Sequence, residues 1–346
     1  MTSREPSGEP TWKPDVLPGY WQQTLPLGPD PHGEGELVAT LVRRGDGGRG
    51  RHAVLALHGY TDYFFNTELA DRFADHGFTF YALDLHKCGR SRGQGQTPHF
   101  TTDLASYDAE LDRAVGIIAT DTSGAELVEV CMYGHSAGGL IATLWLDRLR
   151  QRGGASHIGG LVLNSPFFDL QGPAILRAAP TSAALIALAR FRKLKVIRKP
   201  TPGGYGSSLH RDYGGEFDYD LDLKPLGGFP VTFGWINAIR RGQAKLHRGL
   251  DVGVPNLLLR SDHSLRESPN PEAIQRGDAV LDVDQIARWA GCVGNRQTIA
   301  PITDAKHDVF LSLAGPRAAA YGELDRWLDH YLGSESRSVE TKFGRD

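Results

Sequence analysis

Leu127-Val128-Glu129-Val130-Cys131-Met132-Tyr133-Gly134-His135-Ser136-Ala137-Gly138 is the stretch that decides how this chain is read. Leu127 to Tyr133 form a short aliphatic run of the kind buried on both faces of a sheet. Gly134 to Gly138 follow the pattern Gly-x-Ser-x-Gly, and Gly139 to Arg150 continue as a helix with Ile141, Leu144, Trp145 and Leu149 facing inward. Strand, glycine-flanked serine and helix in that order describe a turn so tight that larger neighbours would collide. The serine hydroxyl is thereby held above the strand end, where the helix N-terminus stabilises developing negative charge. The bare pattern arises often by chance. Its flanking strand and helix are what make Ser136 a candidate nucleophile rather than part of a structural turn. His135 reads as a spacer, because the same turn pins its backbone.

Outward from this point the chain alternates. Strands are predicted at Tyr20–Leu27, Leu37–Arg43, His52–Leu57, Phe78–Leu83, Gly160–Leu163, Val254–Leu259 and Gln297–Ile302. Helices are predicted at Thr67–Asp75, Thr102–Ala119, Gln285–Ala290 and Ala318–Tyr331. Such alternation argues for an α/β fold with a mostly parallel central sheet and helices on both faces. Residues 1–18, with four prolines and no periodicity, read as a loose N-terminal arm. The core is assigned to 19–165 and 252–346. Between them, 166–251 lacks any βαβ unit and reads as an inserted cap rather than a structureless loop. Ile175 to Leu194 and Val231 to Gly249 are its helix-forming pieces. Its aromatics include Phe167, Phe168, Tyr205, Phe233 and Trp235, which would line an apolar pocket if the cap covers the strand ends; a packed cap core is the plainer account of some of them.

Composition narrows the classes. The 346 residues are 40% hydrophobic and 23% charged, enough for a sizeable core and too apolar for disorder. With 41 acidic and 38 basic groups the formal charge is -3, which gives no nucleic-acid footprint. Arg190 to Lys199 is the longest basic cluster; interleaved apolar residues make it an amphipathic segment with a solvated face. Cys88, Cys131 and Cys292 are too few and scattered for a disulfide scaffold or metal knuckle, so reduced thiols are expected. With no signal-peptide core and no apolar run of roughly 18 residues, a soluble, cytoplasmic protein without a transmembrane segment is expected.

A nucleophilic serine needs a base, and the base needs an orienting acid that fixes its tautomer. His307 lies just after the last predicted strand, where the chain order serine, acid, histidine places it. Three aspartates compete for the third role. Asp262 directly follows a strand, Asp278 lies further on before a predicted helix, and Asp282 is close behind it. A metallo-hydrolase built on His58, Asp84 and His86 lacks the compact set of carboxylates and histidines that such a site requires.

The chain resembles the α/β-hydrolase superfamily, in particular its monoacylglycerol lipase, lysophospholipase and serine aminopeptidase-like branch. The matching pieces are Leu57-His58-Gly59-Tyr60, Leu83-Asp84-Leu85-His86-Lys87-Cys88-Gly89-Arg90-Ser91, the Gly134–Gly139 turn and Lys306-His307-Asp308. In the second, Lys87 and Cys88 replace the usual glycine–histidine pair, a change that bears on loop packing. Asp84, Arg90 and Ser91 there are expected to form a buried ion-pair and turn network. The resemblance implies that the acid sits in an Asp-x-x-Val-Asp-like segment, which Asp278 to Asp282 match. Asp278 is therefore favoured, with 264–277 as an insertion and Asp262 as the alternative. It further implies oxyanion donors at the Ala137 and Tyr60 N–H groups. The Tyr60 ring either enters the acyl pocket or packs its loop.

The implied chemistry is acyl transfer through Ser136 on a small-molecule ester with a hydrophobic acyl or aryl part, with no cofactor and no metal. Amide or peptide hydrolysis is the first rival, for which Glu216, Asp218, Asp220 and Asp222 could hold a free amino group. C–C bond hydrolysis, lactone hydrolysis and a non-catalytic binding role are the others.

Overall fold

The computed structural model describes residues 11–45, 51–121, 129–154, 157–172, 191–200, 204–265 and 271–333. Its centre is a nine-stranded sheet in the order β1-β2-β3-β5-β4-β6-β7-β10-β11. The antiparallel edge consists of β1 (Lys13–Pro14), β2 (Tyr20–Pro29) and β3 (Glu36–Arg44), joined to β5 (Phe78–Asp84). From β5 onward the sheet is parallel through β4 (His52–Leu57), β6 (Glu129–His135), β7 (Ile158–Asn164), β10 (Asn256–Ser261) and β11 (Gln297–Ile302). This is an α/β-hydrolase fold.

Helices cover both faces because the parallel strands are apolar on both. On one side, α2 (Asp108–Asp121), α3 (Ala137–Gln151), α4 (Phe233–Leu246) and α6 (Val283–Ala290) bury a core around Leu111, Trp145, Ile239 and Ile286. On the other, α1 (Thr67–Asp75) and α7 (Ala314–Tyr331) bury Phe73, Leu324 and Trp327. A short α5 (Pro271–Ile274) lies after β10. The helix expected over 102–119 begins instead as a tight turn at Leu104–Tyr107, capped by the Asp103 side chain, before α2 takes over.

Residues 11–18 correct the expectation of a loose arm. Trp12 lies under the Arg43 guanidinium at 4.2 Å, and the Asp15 carboxylate, with no exposed surface, receives two 2.8 Å hydrogen bonds from Arg90. Prolines bar a helix here, yet an extended edge strand followed by one buried acid is compatible with them. Residues 1–10 lie outside the described residues.

The segment between β7 and β10 contributes β8 (Val196–Arg198), paired with β9 (Val231–Thr232), and then α4. Most of the helix expected over 175–194 lies outside the described residues. In the basic cluster Phe191 is 83% exposed, and Leu194, Val196 and Ile197 are exposed as well. Among the described residues its apolar side chains are thus not buried, although β8 pairs with β9 through the backbone. Tyr205, Phe217 and Tyr219 meet Tyr63, Phe65 and Leu311 in a small core of their own. No described helix is long and apolar enough to cross a membrane.

Candidate active site

Ser136 sits between β6 and α3 with φ 52° and ψ -118°, a region costly for a residue with a β-carbon. The surrounding glycines have specific reasons to be glycine. A β-carbon on Gly138 would lie 2.4 Å from the His58 carbonyl oxygen, and one on Gly134 2.7 Å from the Gly139 α-carbon. One on Gly59 would stand 3.0 Å from the Ser136 β-carbon, so the backbone after β4 passes directly against the serine. Ser136 is the N-terminal flank of the 15-residue α3, and the partial positive charge of that helix end falls on its side chain and on the Ala137 N–H.

His307 lies in the turn after β11 and is 2% exposed. Its Nδ1 is 2.9 Å from Asp278 Oδ2. The Asp278 side chain has no exposed surface, and its other oxygen accepts the Val280 and Leu281 N–H groups, each at 2.8 Å. An ionised carboxylate held this way orients Nδ1–H toward itself and leaves Nε2 as the lone-pair nitrogen. That Nε2 is buried and has no hydrogen-bond partner among the described residues.

The competing aspartates are engaged elsewhere. Asp262 is exposed and binds His263 Nδ1 at 2.7 Å and the Asp304 N–H at 3.1 Å. Asp282 caps α6 through the Asp284 N–H. The insertion explains how the remote aspartate arrives. Ser264 and Asp278 form a β-bridge, with the Leu265 N–H on the Asp278 carbonyl and the Asp278 N–H on the His263 carbonyl. Asp278 is thereby held beside the chain that leaves the end of β10.

Tyr60 follows the close approach at Gly59. Its hydroxyl donates to the Pro230 carbonyl at 2.6 Å, and its ring packs on Trp235 at 4.0 Å and His99 at 4.8 Å. The ring thus packs its loop against the cap. Neighbours tie the two parts further: Phe229 N–H donates to Thr61 Oγ1, Asp220 N–H to the Tyr63 hydroxyl, and Lys224 Nζ to Asp62 Oδ1 at 2.5 Å. Asp62 is fully enclosed; burial alone would raise its pKa, but Lys224 and nearby imidazoles outweigh burial and hold it below the usual carboxylate value.

Of the aromatics expected at a pocket, Tyr205 reaches the histidine most directly. Its ring stands edge-on to His307 at 5.7 Å and its hydroxyl accepts the Asp308 N–H at 3.0 Å. Phe167 stacks on Trp235, while Phe233 is half-buried. Phe168 is fully buried in the α3-side core. A separate cavity is lined by His58, Asp62, Tyr63, Phe65, His135 and Asp308, with neither Ser136 nor His307 on its wall. Sequence reasoning named Tyr60 from the loop after β4 beside the cap aromatics, and did not name Asp62, Tyr63 and Phe65 further along that loop. The run Asp62-Tyr63-Phe64-Phe65 just after Tyr60 was the available signal.

The remaining motif residues are structural. Arg90 bridges Asp84 and Asp15, and the Ser91 hydroxyl donates to the Asp84 carbonyl at 2.6 Å. His58 Nε2 accepts the Leu85 N–H, while His86 pairs with Glu110 at 2.9 Å, so these groups face separate partners. The three cysteines are free thiols.

The family model described as serine aminopeptidase, S33, matches residues 48–264, a span that includes Ser136 and ends before Asp278 and His307. No curated protein sequence matches the chain. Among solved structures, a soluble variant of monoglyceride lipase from Saccharomyces cerevisiae aligns at TM-score 0.60 and 16% identity, covering 95% of this chain and 97% of that one. A monoacylglycerol lipase from Paleococcus ferrophilus aligns at TM-score 0.59 and 18% identity, covering 86% and 99%. A thermostable carboxyl esterase from Bacillus coagulans aligns at TM-score 0.56 and 13% identity, covering 90% and 99%. At these identities the likeness establishes the fold.

Proposed function

The chain belongs to the serine aminopeptidase, S33, family of hydrolases, and from that premise we propose that it cleaves carboxylic esters with a hydrophobic acyl or aryl part through an acyl-enzyme on Ser136. The observation that carries this reading is the His307 Nδ1–Asp278 Oδ2 bond of 2.9 Å, which leaves Nε2 free to take a proton.

His307 Nε2 accepts the Ser136 hydroxyl proton as Oγ attacks the ester carbonyl. The oxyanion is received by the Ala137 and Tyr60 N–H groups at the positive end of α3. His307 then protonates the leaving alkoxide, and in the second half-reaction takes a proton from water, whose oxygen attacks the acyl carbon and frees Ser136. Asp278 stays ionised and stabilises the imidazolium in both steps. Phe167, whose N–H donates to the Ser136 carbonyl at 2.9 Å, and Tyr205, edge-on to His307, supply the apolar surroundings that favour a hydrophobic acyl or aryl group.

Ester preference over a free amino-terminal peptide is supported by two of the four acidic residues: Glu216 pairs with Arg317 at 3.1 Å and Asp218 with Arg211 at 2.9 Å within the chain. The solved lipases and esterase of the same fold point the same way.

The test is a fluorophosphonate probe followed by peptide mapping, run beside a panel of p-nitrophenyl esters and aminoacyl amides. One adduct on Ser136, absent in Ser136→Ala, with ester turnover exceeding amide turnover, is the expected result. Labelling elsewhere, or equal turnover by Ser136→Ala, rejects the mechanism; amide preference rejects the substrate class.

A further inference from the structure

Asn164 closes β7 without exposed surface and belongs neither to the triad nor to the oxyanion donors. Its polar groups nevertheless reach both halves of the chemistry. The Asn164 carbonyl accepts the N–H of Ser136 itself at 2.9 Å and lies 3.2 Å from His135 Nδ1. Its side-chain oxygen accepts the Val309 N–H at 3.2 Å, while its amide nitrogen donates to Asp308 Oδ1 at 2.7 Å and to the Tyr133 hydroxyl at 2.8 Å. Asp308 and Val309 are the two residues directly after His307.

The amide orientation is unambiguous. Val309 N–H can only donate, and a carboxylate can only accept, so oxygen faces the former and nitrogen the latter. Both amide hydrogens and the amide oxygen are used.

Given the reading of Ser136 and His307 as nucleophile and base, we propose that Asn164 is a positioning residue that sets their mutual geometry by pinning the serine turn and the histidine turn to one point. The two turns come from β6 and β11, which are not neighbours in the sheet: β7 and β10 lie between them. Asp278 restrains the histidine from the β10 side, and Asn164 restrains the chain beyond it from the β7 side. A displacement of about 1 Å between reacting groups costs on the order of 100-fold in rate. An apolar side chain of similar size would fill the volume, leave the Val309 N–H unpaired and leave Asp308 Oδ1 with the Phe310 N–H at 3.0 Å but without its side-chain donor.

Asn164→Asp supplies a readout that simple packing would not move. It places a second carboxylate at hydrogen-bond distance from Asp308, and two such groups cannot both ionise cheaply, so one pKa rises. Below that raised value the shared proton restores an O–H···O link and the pin. Above it, repulsion opens the pin. The titratable groups facing this point are Tyr133 and His135 from β6, His307 and Asp308 from the histidine turn, and Asp62 and Tyr205 beyond them. Dividing each variant's rate by the wild-type rate at the same pH removes the titrations common to both.

The experiment compares wild type, Ser136→Ala, Asn164→Ala and Asn164→Asp on a soluble aryl ester, at a temperature where melting curves show all four folded. The proposal expects Asn164→Ala to lose about 100-fold in kcat with KM within about twofold. It expects the Asn164→Asp to wild-type ratio to fall at least about tenfold between roughly pH 5.5 and 8.5. A folded Asn164→Ala enzyme within about threefold of wild-type kcat overturns it. So does an Asn164→Asp ratio that is flat with pH. If Asn164→Ala does not fold, the Asn164→Asp ratio decides alone. Wild type no faster than Ser136→Ala would instead reject the serine-hydrolase reading on which the proposal rests.

Discussion

Replacing Asp278 by asparagine separates the competing aspartates by a mechanism that the hydrogen bonds dictate. One Asp278 oxygen accepts two backbone N–H groups, from Val280 and Leu281, and the other faces His307 Nδ1. In Asp278→Asn the amide oxygen must keep the two N–H donors, since an NH2 group there would face hydrogens. The NH2 is then turned toward His307 Nδ1, which has to become an acceptor. The imidazole proton moves to Nε2, and the lone pair that should receive the Ser136 proton is lost. A wrong tautomer with intact geometry costs about 10³–10⁴ in kcat, or about 4–5.5 kcal/mol of transition-state stabilisation. Because the amide is nearly isosteric and keeps its backbone bonds, the expected loss of folding stability is only about 1–2 kcal/mol. Steady-state hydrolysis of a p-nitrophenyl ester measures kcat and KM, and urea melts measure stability. Asp262→Asn is the matched control, expected within about threefold of wild type because Asp262 is exposed and its carboxylate is bound, among the described residues, to His263 and Asp304. A large loss in Asp262→Asn with a small one in Asp278→Asn would refute the assignment and the tautomer argument together.

Two further outcomes follow from buried charges. Asp15→Ala leaves one side of the buried Arg90 guanidinium unpaired, and should lower unfolding free energy by about 2–4 kcal/mol in a urea titration; a loss within about 0.5 kcal/mol would mean that residues 12–15 are not part of the folded unit. Lys306, 1% exposed, has its pKa lowered by burial to about 8, with its Nζ donating to the Ser208 carbonyl at 2.7 Å. The unfolded chain therefore binds more protons than the folded one between about pH 8 and 10.5, so this residue's contribution to stability rises with pH across that window. Lys306→Met should be most stabilised relative to wild type below about pH 8, with the difference shrinking toward pH 10.5; a pH-independent difference in urea midpoint would contradict this.

Much of the scaffold was legible because its signals are local. His52–Leu57, Thr67–Asp75 and Gln297–Ile302 have the same bounds in sequence pattern and structure. Strand and helix periodicity each need only a few consecutive residues. The turn at Ser136 was readable for the same reason: Gly134 and Gly138, whose β-carbons would otherwise strike Gly139 and His58, sit within one short motif. His307 followed from its place after the last strand.

What the sequence by itself determined is thus the α/β alternation, the tight turn that carries Ser136, and a histidine at the end of the last strand, all set by short-range sterics and hydrophobic pattern. The residues alone left three aspartates open and the family resemblance favoured Asp278; only the tertiary structure brings it to that histidine, through a bridge between Ser264 and Asp278 across an insertion. The same holds for Asp15 reaching Arg90 and Asn164 reaching both Ser136 and Val309. In each case a polar group is buried far from its partner in sequence. Its cost in an apolar interior is met only when the fold brings a hydrogen-bond partner to it.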